Sequence, residues 1–351
     1  MFKRRPPLYP LKFEPIYKQK VWGGRAMAKL GRALPGDDRT GIGESWELAD
    51  LGETSASGGG GEAARSTITN GVLAGKALHE VMDEYGRDLM GDLPTTESGE
   101  FPLLLKFLDA HENLSVQVHP SADYAAAHDD AHLKSEAWYI VAAEPGAVIY
   151  KGMQPGTTAQ QLRAALQVNT VEAVEPLMVK VPVKVGDCHY LPSGTCHALG
   201  RGVLVAEVQT PSDTTFRVFD WGRTGRQLHV DEALQCIHFG PAECAAFEKR
   251  THQATAFTTV SRLVTCEFFR IEKVRMSEGY QQEIPYDQPA VWMVLEGKGT
   301  IQPGGKIKPV EFERGETLLI PPSMKDPCIE LFEDTSWLEV TFPQARRMQI
   351  A

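Results

Sequence analysis

The chain has 351 residues, of which 42% are hydrophobic and 23% charged, and its 36 Lys and Arg against 46 Asp and Glu give a net charge of −10. This length is enough for two domains, or for one large domain with an additional segment. The composition is that of an ordinary globular protein, and the negative charge argues against non-specific nucleic-acid binding, which needs a basic surface. A small anionic ligand is not excluded, because it needs only two or three local cations.

Segments that would carry the chain to a membrane or out of the cell are not recognisable in the sequence. No apolar run reaches the roughly 18 residues of a membrane span, and the basic N-terminal residues are not followed by an apolar stretch of the kind that signal peptides contain. The six cysteines are scattered, with no C-x-x-C pair, which favours reduced thiols. We therefore expect a cytoplasmic protein with no membrane or nucleic-acid partner.

The first half of the chain alternates predicted strands with predicted helices. A strand is predicted at residues 44–48, where Glu44, Trp46 and Leu48 alternate with Ser45 and Glu47, and the apolar run 101–108 predicts a buried strand. Between them, apolar residues recur with helical spacing in a segment that ends at Gly91 and that contains Leu78, Val81, Met82, Tyr85 and Leu89. Helical insertions are expected at about residues 70–92, 121–133 and 158–174.

Residues 114–119 predict a half-buried strand with two chemically different faces. The polar face carries Ser115, Gln117 and His119, whereas the residues between them are apolar. Gln117 and His119 point the same way, about 7 Å apart along the strand, so both can reach one ion. This strand is the first candidate for chemistry in the chain.

Two further residues can complete a metal site with this strand. Glu136 begins the next predicted strand, 136–141, and faces inward if it shares a side with the apolar Trp138. His197 lies farther along the chain, at the end of the spacing G-x5-P-x4-H that begins at Gly186. Two imidazoles, one carboxylate and one amide oxygen suit Zn²⁺ or another borderline divalent ion.

The rest of the chain is rich in strands and contains a repeated spacing. The pattern G-x5-P-x4-H occurs at residues 186–197 and again at 315–326, where Asp326 replaces the histidine. This spacing is the second cupin motif, so we expect a mainly β protein with two cupin (jelly-roll) barrels and helical insertions. The predicted domains are an N-terminal metal-binding barrel at 1–250 and a C-terminal barrel at 251–351, which lacks the metal ligands and is expected to be structural.

Cations near the predicted metal site bear on the class of substrate. Lys134 precedes Glu136 by two residues, and Lys106 interrupts the apolar run 101–108. Together with Arg217 and Ser115, these residues can hold a phosphate group beside the metal.

Six motifs in this order resemble those of the type I mannose-6-phosphate isomerases, in their shorter bacterial form, over about residues 13–240. The motifs are GESWEL, NGVLAGKALHE, LSVQVHP, KSEAWYI, GTCHALG and SDTTFRVFDWGR. The resemblance implies one Zn²⁺ per chain, bound by Gln117, His119, Glu136 and His197. It also implies a catalytic Arg217 and substrate contacts near Ser115, Lys134 and Glu207.

The resemblance leads us to expect a zinc-dependent aldose–ketose isomerase that acts on a sugar phosphate, as a monomer or weak homodimer. The reaction would interconvert mannose 6-phosphate and fructose 6-phosphate through a cis-enediolate, with Glu207 as the first choice for the base. Longer relatives have a lysine shortly after the catalytic arginine, whereas this chain has Arg223 in that region. Two alternatives stay open, namely an Fe(II) cupin dioxygenase and a non-catalytic sugar-binding protein with two barrels.

Overall fold

The computed structural model describes residues 5–52, 63–284 and 286–343. Within them the strands, numbered β1 to β24 in chain order, are Leu11–Lys12, Ile16–Gly24, Ile42–Leu48, Asp50–Leu51, Ala64–Arg65, Leu104–Ala110, Val116–Val118, Glu136–Ala143, Val148–Met153, Met178–Pro182, Cys188–Leu191, His197–Leu199, Val203–Gln209, Phe216–Phe219, Thr251–Ala254, Thr258–Thr265, Arg270–Met276, Gln281–Glu283, Ala290–Glu296, Lys298–Gln302, Val310–Glu313, Thr317–Ile320, Cys328–Leu331 and Thr335–Thr341.

The helices are fewer and short. The α-helices, numbered α1 to α6, are Leu78–Tyr85, Arg87–Met90, Ala122–Ala127, Ala159–Val168, Val171–Val174 and Val230–Cys236. Short 3-10 helices are formed by Ala26–Leu30, Gly71–Leu73 and Glu175–Leu177. None of the helices in the described ranges combines the length and apolarity that crossing a bilayer requires. All six cysteines are free thiols.

The chain divides into two compact units, each made of segments that are not consecutive. The first unit comprises residues 15–66 and 100–246, and the second comprises 1–14, 67–99 and 247–351. This grouping differs from the predicted domains in one respect, because 1–14 and 67–99 belong with the C-terminal segment. The reason is pairing within the second unit, where Leu11 of β1 lies opposite Leu319 of β22.

The first unit is built from two antiparallel sheets, with the strand orders β11-β8-β13-β6-β2-β3 and β10-β9-β12-β7-β14. Apolar residues from both sheets, among them Trp138, Ile149 and Leu199, form one core cluster between them. A second cluster packs α4 and α6 against the outer face of the five-stranded sheet. The five-stranded sheet is therefore covered by helices on one face and faces the other sheet with its second face.

The second unit repeats this architecture with the strand orders β1-β22-β19-β24-β17-β16-β15 and β18-β23-β20-β21. Its core cluster again takes residues from both sheets, including Trp292, Ile329 and Trp337. The repeated spacing has the same structural meaning in both units, because Gly186 and Gly315 adopt φ of 91° and 85° and begin the turns into β11 and β22. Positive φ is a conformation that glycine adopts without steric cost. The prediction of a mainly β protein with two cupin barrels is confirmed.

The predicted helical insertions are all shorter than expected. The helix predicted to run to Gly91 is divided at Gly86, whose φ of 45° separates α1 from α2, although its five apolar side chains are buried as predicted. The segment 121–133 is helical only in α3, and 158–174 is divided at Asn169, which caps α4 in the left-handed conformation. Helical periodicity identified the buried residues, but it did not detect the backbone reversals.

Candidate metal centre

Strand β7 lies within the five-stranded sheet of the first unit, between β12 and the edge strand β14. Gln117 is opposite His197 on one side and opposite Arg217 on the other. Val116 and Val118 are buried in the helix-covered cluster. Because neighbouring side chains on a strand point to opposite faces, Gln117 points away from this cluster, toward the barrel interior.

Three of the four predicted metal ligands converge in the barrel interior. Candidate ligand atoms of His119, Glu136 and His197 all lie within 4.8 Å of one another, and all three side chains are buried. Nε2 of His119 is 3.2 Å from Oε2 of Glu136, and Nε2 of His197 is 3.3 Å from Oε1 of the same carboxylate. In the part of the chain that the structure describes, this is the one such cluster of His, Cys, Asp and Glu side chains.

Backbone carbonyl groups orient both imidazoles toward the carboxylate. Nδ1 of His119 is 3.0 Å from the carbonyl oxygen of Thr214, and Nδ1 of His197 is 2.8 Å from that of Thr195. A carbonyl oxygen only accepts hydrogen bonds, so Nδ1 carries the proton in each ring and Nε2 is left with a free lone pair. Burial lowers the pKa of His119 to about 3 and also lowers the pKa of His197, so both rings are neutral at neutral pH.

The residues of this cluster fit a divalent metal ion. Nε2 of His119 and Oε1 of Glu136 are buried and make no hydrogen bond among the described residues, and Oε2 of Glu136 is contacted by the ammonium group of Lys134. Buried polar atoms are normally hydrogen-bonded, and here lone pairs of the imidazole and of the carboxylate face one another without a proton between them. A cation bound by these atoms would satisfy all of them, and nitrogen and carboxylate oxygen are ligands that Zn²⁺ accepts.

Gln117, the fourth predicted ligand, lies beside the same cluster. Its Nε2 is 3.3 Å from Nε2 of His197. The oxygen and nitrogen of a side-chain amide are interchanged by a rotation of 180° about the last side-chain bond. That rotation would present Oε1 of Gln117 to the other ligand atoms.

A cavity of about 150 Å³ lies beside the cluster. Five cationic side chains line it, although the protein has a net charge of −10. All of the predicted substrate-binding and catalytic residues line this cavity. These are Ser115, Lys134, Lys106, Glu207 and Arg217. Lys20 and Arg226 add two more cations, and Glu44 and Asp213 add two more carboxylates.

Comparisons with known proteins point to one family. The family described as phosphomannose isomerase type I, catalytic domain, matches residues 10–148. Mannose-6-phosphate isomerase ManA of Bacillus subtilis is 34% identical over 322 residues, which cover 89% of this chain and 93% of that protein. Mannose-6-phosphate isomerase of Streptococcus mutans is 35% identical and covers 89% of this chain and 94% of its own length.

This chain belongs to the type I phosphomannose isomerases. The fold agrees, because a crystal structure of the mannose 6-phosphate isomerase from Bacillus subtilis matches with a TM-score of 0.78 at 28% identity. The match covers 94% of this chain and 98% of that structure. The resemblance inferred from the sequence motifs is therefore confirmed, and the chain is an enzyme of this family.

In this member of the family, Lys134 and Glu136 form a buried ion pair in which Nζ is 3.0 Å from Oε2. Burial opposes both charges, but each group stabilises the other. The pKa of Lys134 is raised because Glu136 and Glu207 more than offset its burial, and the pKa of Glu136 is held well below its ordinary value because Lys134 more than offsets its burial. Lys134 therefore stays protonated beside the cluster.

Glu207 lies in a different electrostatic environment from Glu136. Burial and then the neighbouring charge of Glu136 raise the pKa of Glu207. Its Oε2 accepts a hydrogen bond of 2.9 Å from Nε1 of Trp138, and its Oε1 is 3.5 Å from Nζ of Lys106. Two buried carboxyl groups in one site thus have pKa values shifted in opposite directions, which is a frequent arrangement for acid–base catalysis.

Arg217 and Arg226 belong to a cluster of arginines around Asp220. Burial and the neighbouring Arg226 lower the pKa of Arg217, and its Nε is buried without a hydrogen-bond partner among the described residues. Asp220 accepts hydrogen bonds from both Arg223 and Arg226. Only Arg226 of these two lines the cavity, because Arg223 donates to the backbone oxygen of Asn113 instead. Arg223, which lies where longer relatives have a lysine, is therefore not among the residues that line the cavity.

Sequence reasoning missed several of the residues that line this cavity. Lys20 and Arg226 had no motif that set them apart from surface cations. Glu44 and Trp46 could have been identified from the predicted strand GESWEL, because residues two apart on a strand share one face. In the structure, Glu44 accepts a hydrogen bond from Nε1 of Trp46, and its pKa is lowered because Lys106 and Lys20 more than offset its burial.

The low pKa of His119 predicts how the metal-free protein responds to acid. An unfolded chain binds a proton on this imidazole below about pH 6.5, whereas the folded chain does so only near pH 3. The free energy of unfolding should therefore fall as the pH is lowered from about 7 to about 5, by up to about 1.4 kcal/mol per pH unit for this group. His119→Gln should reduce that pH dependence.

Urea unfolding in the presence of a chelator, at several pH values, measures this effect. His252→Gln, on an exposed strand residue, is the matched control and should retain the pH dependence of the unsubstituted protein. If His119→Gln and the unsubstituted protein lose stability in parallel, His119 is not held neutral by the fold.

Proposed function

We propose that this chain is a zinc-dependent isomerase that interconverts mannose 6-phosphate and fructose 6-phosphate. The observation that carries the proposal is the buried cluster of His119, Glu136 and His197 beside a cavity lined by five cations. The names of its relatives at 34% and 35% identity support the choice of substrate.

The residues that would hold Zn²⁺ are Gln117, His119, Glu136 and His197. When bound, the ion would act as a Lewis acid that stabilises negative charge on the substrate oxygens. The two neutral imidazoles and the ionised carboxylate need no deprotonation before they bind a cation. Glu136 also forms an ion pair with Lys134. This ion pair places a positive side chain beside the site, where it is available to a substrate oxygen.

Isomerisation of an open-chain aldose requires removal of the C2 proton and its return to C1, through a cis-enediolate. Glu207 is our choice for the base, because its raised pKa brings the carboxyl group closer to neutral pH, where proton transfer in both directions is efficient. Its hydrogen bond from Trp138 holds the side chain in place at the edge of the cavity.

Arg217 and Lys134 suit the stabilisation of charge better than proton removal. The arginine pKa is so high that even a lowered value leaves the guanidinium charged. Lys134 is likewise kept protonated by Glu136 and Glu207. The free Nε–H of Arg217 can donate to a substrate oxygen as negative charge develops there.

The phosphate group of the substrate would lie among the remaining cavity residues. Arg226 and Lys20 provide positive charge, and Ser115 and Lys106 provide further donors along the wall. Asp220 holds the guanidinium of Arg226 through a bond of 2.8 Å from Nε, so the arginine is positioned before a substrate binds.

We also propose a cytoplasmic enzyme that works as a monomer or weak homodimer. Six free cysteines support a reducing compartment. The candidate ligands and the residues that line the cavity all belong to the first unit, which supports a site held within one chain. Size-exclusion chromatography with light scattering tests the assembly.

Turnover of mannose 6-phosphate is the principal test of this proposal. The purified protein should produce fructose 6-phosphate in a coupled assay, lose the activity on chelation and recover it with Zn²⁺. Metal analysis of protein purified without added metal should find one zinc per chain. Background turnover with zinc bound would exclude the isomerase, and bound iron with oxygen consumption would favour the dioxygenase alternative.

Replacing Glu207 by glutamine tests the base. Glutamine retains the size and the hydrogen bond from Trp138 but cannot accept a proton, so kcat should fall by about 10²–10⁴-fold while zinc stays bound. Glu172→Gln, on an exposed residue of α5, is the control and should leave kcat unchanged. Near-normal turnover of Glu207→Gln would assign the base to another residue.

Arg226 and Arg223 offer a matched pair for the phosphate contact, since both bond to Asp220 but only Arg226 lines the cavity. Arg226→Ala should raise KM for mannose 6-phosphate by about tenfold or more, because a charge-assisted hydrogen bond is lost. Arg223→Ala should have a much smaller effect. Equal changes in KM for the two variants would show that Arg226 does not bind the phosphate.

A further inference from the structure

The second unit contains a cavity of its own, of about 210 Å³, inside the barrel that lacks the histidine of the cupin motif. Its walls are mainly aromatic and aliphatic, and its polar groups include Tyr286 and Glu339. No arginine or lysine is found among the described residues that line it. In this respect it is the opposite of the cavity in the first unit.

Strand register shows how this cavity is related to the candidate active site. In the first unit, Glu207 of β13 lies opposite Trp138 of β8. In the second unit, Glu339 of β24 lies opposite Trp292 of β19. The second barrel therefore retains a carboxylate and a tryptophan at corresponding positions.

The metal ligand itself is absent from the corresponding place. Glu136 lies opposite Leu191, the residue before the proline of the repeated motif, and Ala290 lies opposite Ile320 in the same relation. An alanine side chain cannot bind a metal, so Glu339 has no candidate metal ligand at the position that Glu136 occupies relative to Glu207.

One oxygen of Glu339 is held by the barrel and the other is not. Oε2 accepts hydrogen bonds from the hydroxyl of Tyr286 and from Nε1 of Trp337, the latter at 3.4 Å. The hydroxyl of Tyr286 in turn accepts a bond of 3.0 Å from Nε1 of Trp292. Oε1 has no hydrogen-bond partner among the described residues.

The carboxylate of Glu339 also lacks a cationic partner within the described residues. Glu272 lies directly opposite it on β17, but its charge is compensated by Arg262, whose Nε donates a bond of 2.9 Å. No ion pair of this kind is formed by Glu339. Glu339 is partly exposed at the wall of this largely apolar cavity, and a cation that enters the cavity would supply the counter-charge that its carboxylate lacks.

Two indole rings complete the chemistry of a cation site. The rings of Trp292 and Trp337 stack on each other, with centroids 4.4 Å apart and an interplanar angle of 28°, so a ligand in the cavity that both rings line can meet only the parts of each ring that are turned away from the other. The face of an indole attracts a positive charge, and the attraction is strongest where water is excluded. Aromatic faces together with one unpaired carboxylate oxygen favour an organic ammonium ion over a phosphate or a hydrated metal ion.

We propose that the barrel of the second unit binds a small alkylammonium ion, with its charge beside Oε1 of Glu339 and its alkyl groups against Trp292 and Trp337. The cavity volume of about 210 Å³ leaves room for a small organic ion. The proposal does not depend on the activity assigned to the first unit. It gives the second barrel a function other than a structural one.

Isothermal titration calorimetry with choline and with 3,3-dimethylbutan-1-ol tests the proposal on the unsubstituted full chain. The two compounds have the same number of heavy atoms and nearly the same shape, but only choline is charged. Choline should bind at least about tenfold more tightly, which corresponds to about 1.4 kcal/mol. Equal affinities, or no binding of choline, would overturn the proposal, as would tight binding of neutral mannose instead.

Substitution then locates the site. Glu339→Gln should weaken choline binding by about tenfold and leave the isomerase kinetics unchanged. Glu330→Gln, on an exposed residue of β23, is the control and should bind choline normally. Choline affinity that is unaffected by Glu339→Gln would place the cation elsewhere and refute the assignment. If Glu339→Gln does not fold, the comparison of choline with its neutral isostere still decides the question.

Discussion

The burial of the Glu136 carboxylate is the constraint on which the first barrel depends. This side chain has no solvent exposure, and an isolated charge in such a place would cost several kcal/mol. The protein compensates it with Lys134 on one side and surrounds it with two imidazoles that are kept neutral. The arrangement leaves electron pairs converging on one point, which is the condition for binding a divalent cation.

This constraint explains features that lie well away from the ligands. The imidazoles can bind a metal ion through Nε2 only if the ring proton is on Nδ1. The carbonyl oxygens of Thr214 and Thr195 accept hydrogen bonds from Nδ1 and so hold the proton there. Burial, and then the same charge, raise the pKa of Glu207 on the neighbouring strand, while Lys106 moderates the effect. A single buried carboxylate thus creates both a metal-binding cluster and a second carboxyl group suited to proton transfer.

The two barrels show how one architecture supports different electrostatics. Strand order and the turn glycines are repeated, and each barrel pairs a carboxylate with a tryptophan across adjacent strands. The first barrel surrounds its carboxylates with lysines and arginines, which suits an anionic substrate in a protein of net charge −10. The second has aromatic walls and no lining cation in the described part of the chain, which suits a ligand of opposite charge.

The sequence by itself determined the local patterns, because they depend on short-range periodicity and on motif spacing. Alternation along residues 114–119 identified a strand with one chemical face, and the repeated spacing at 186–197 and 315–326 indicated two barrels. Only the tertiary structure decided which distant residues share a site or a unit. Long-range pairing brings Glu44 and Arg226 to the cavity wall and places residues 67–99 in the second unit, and no local pattern encodes such pairing.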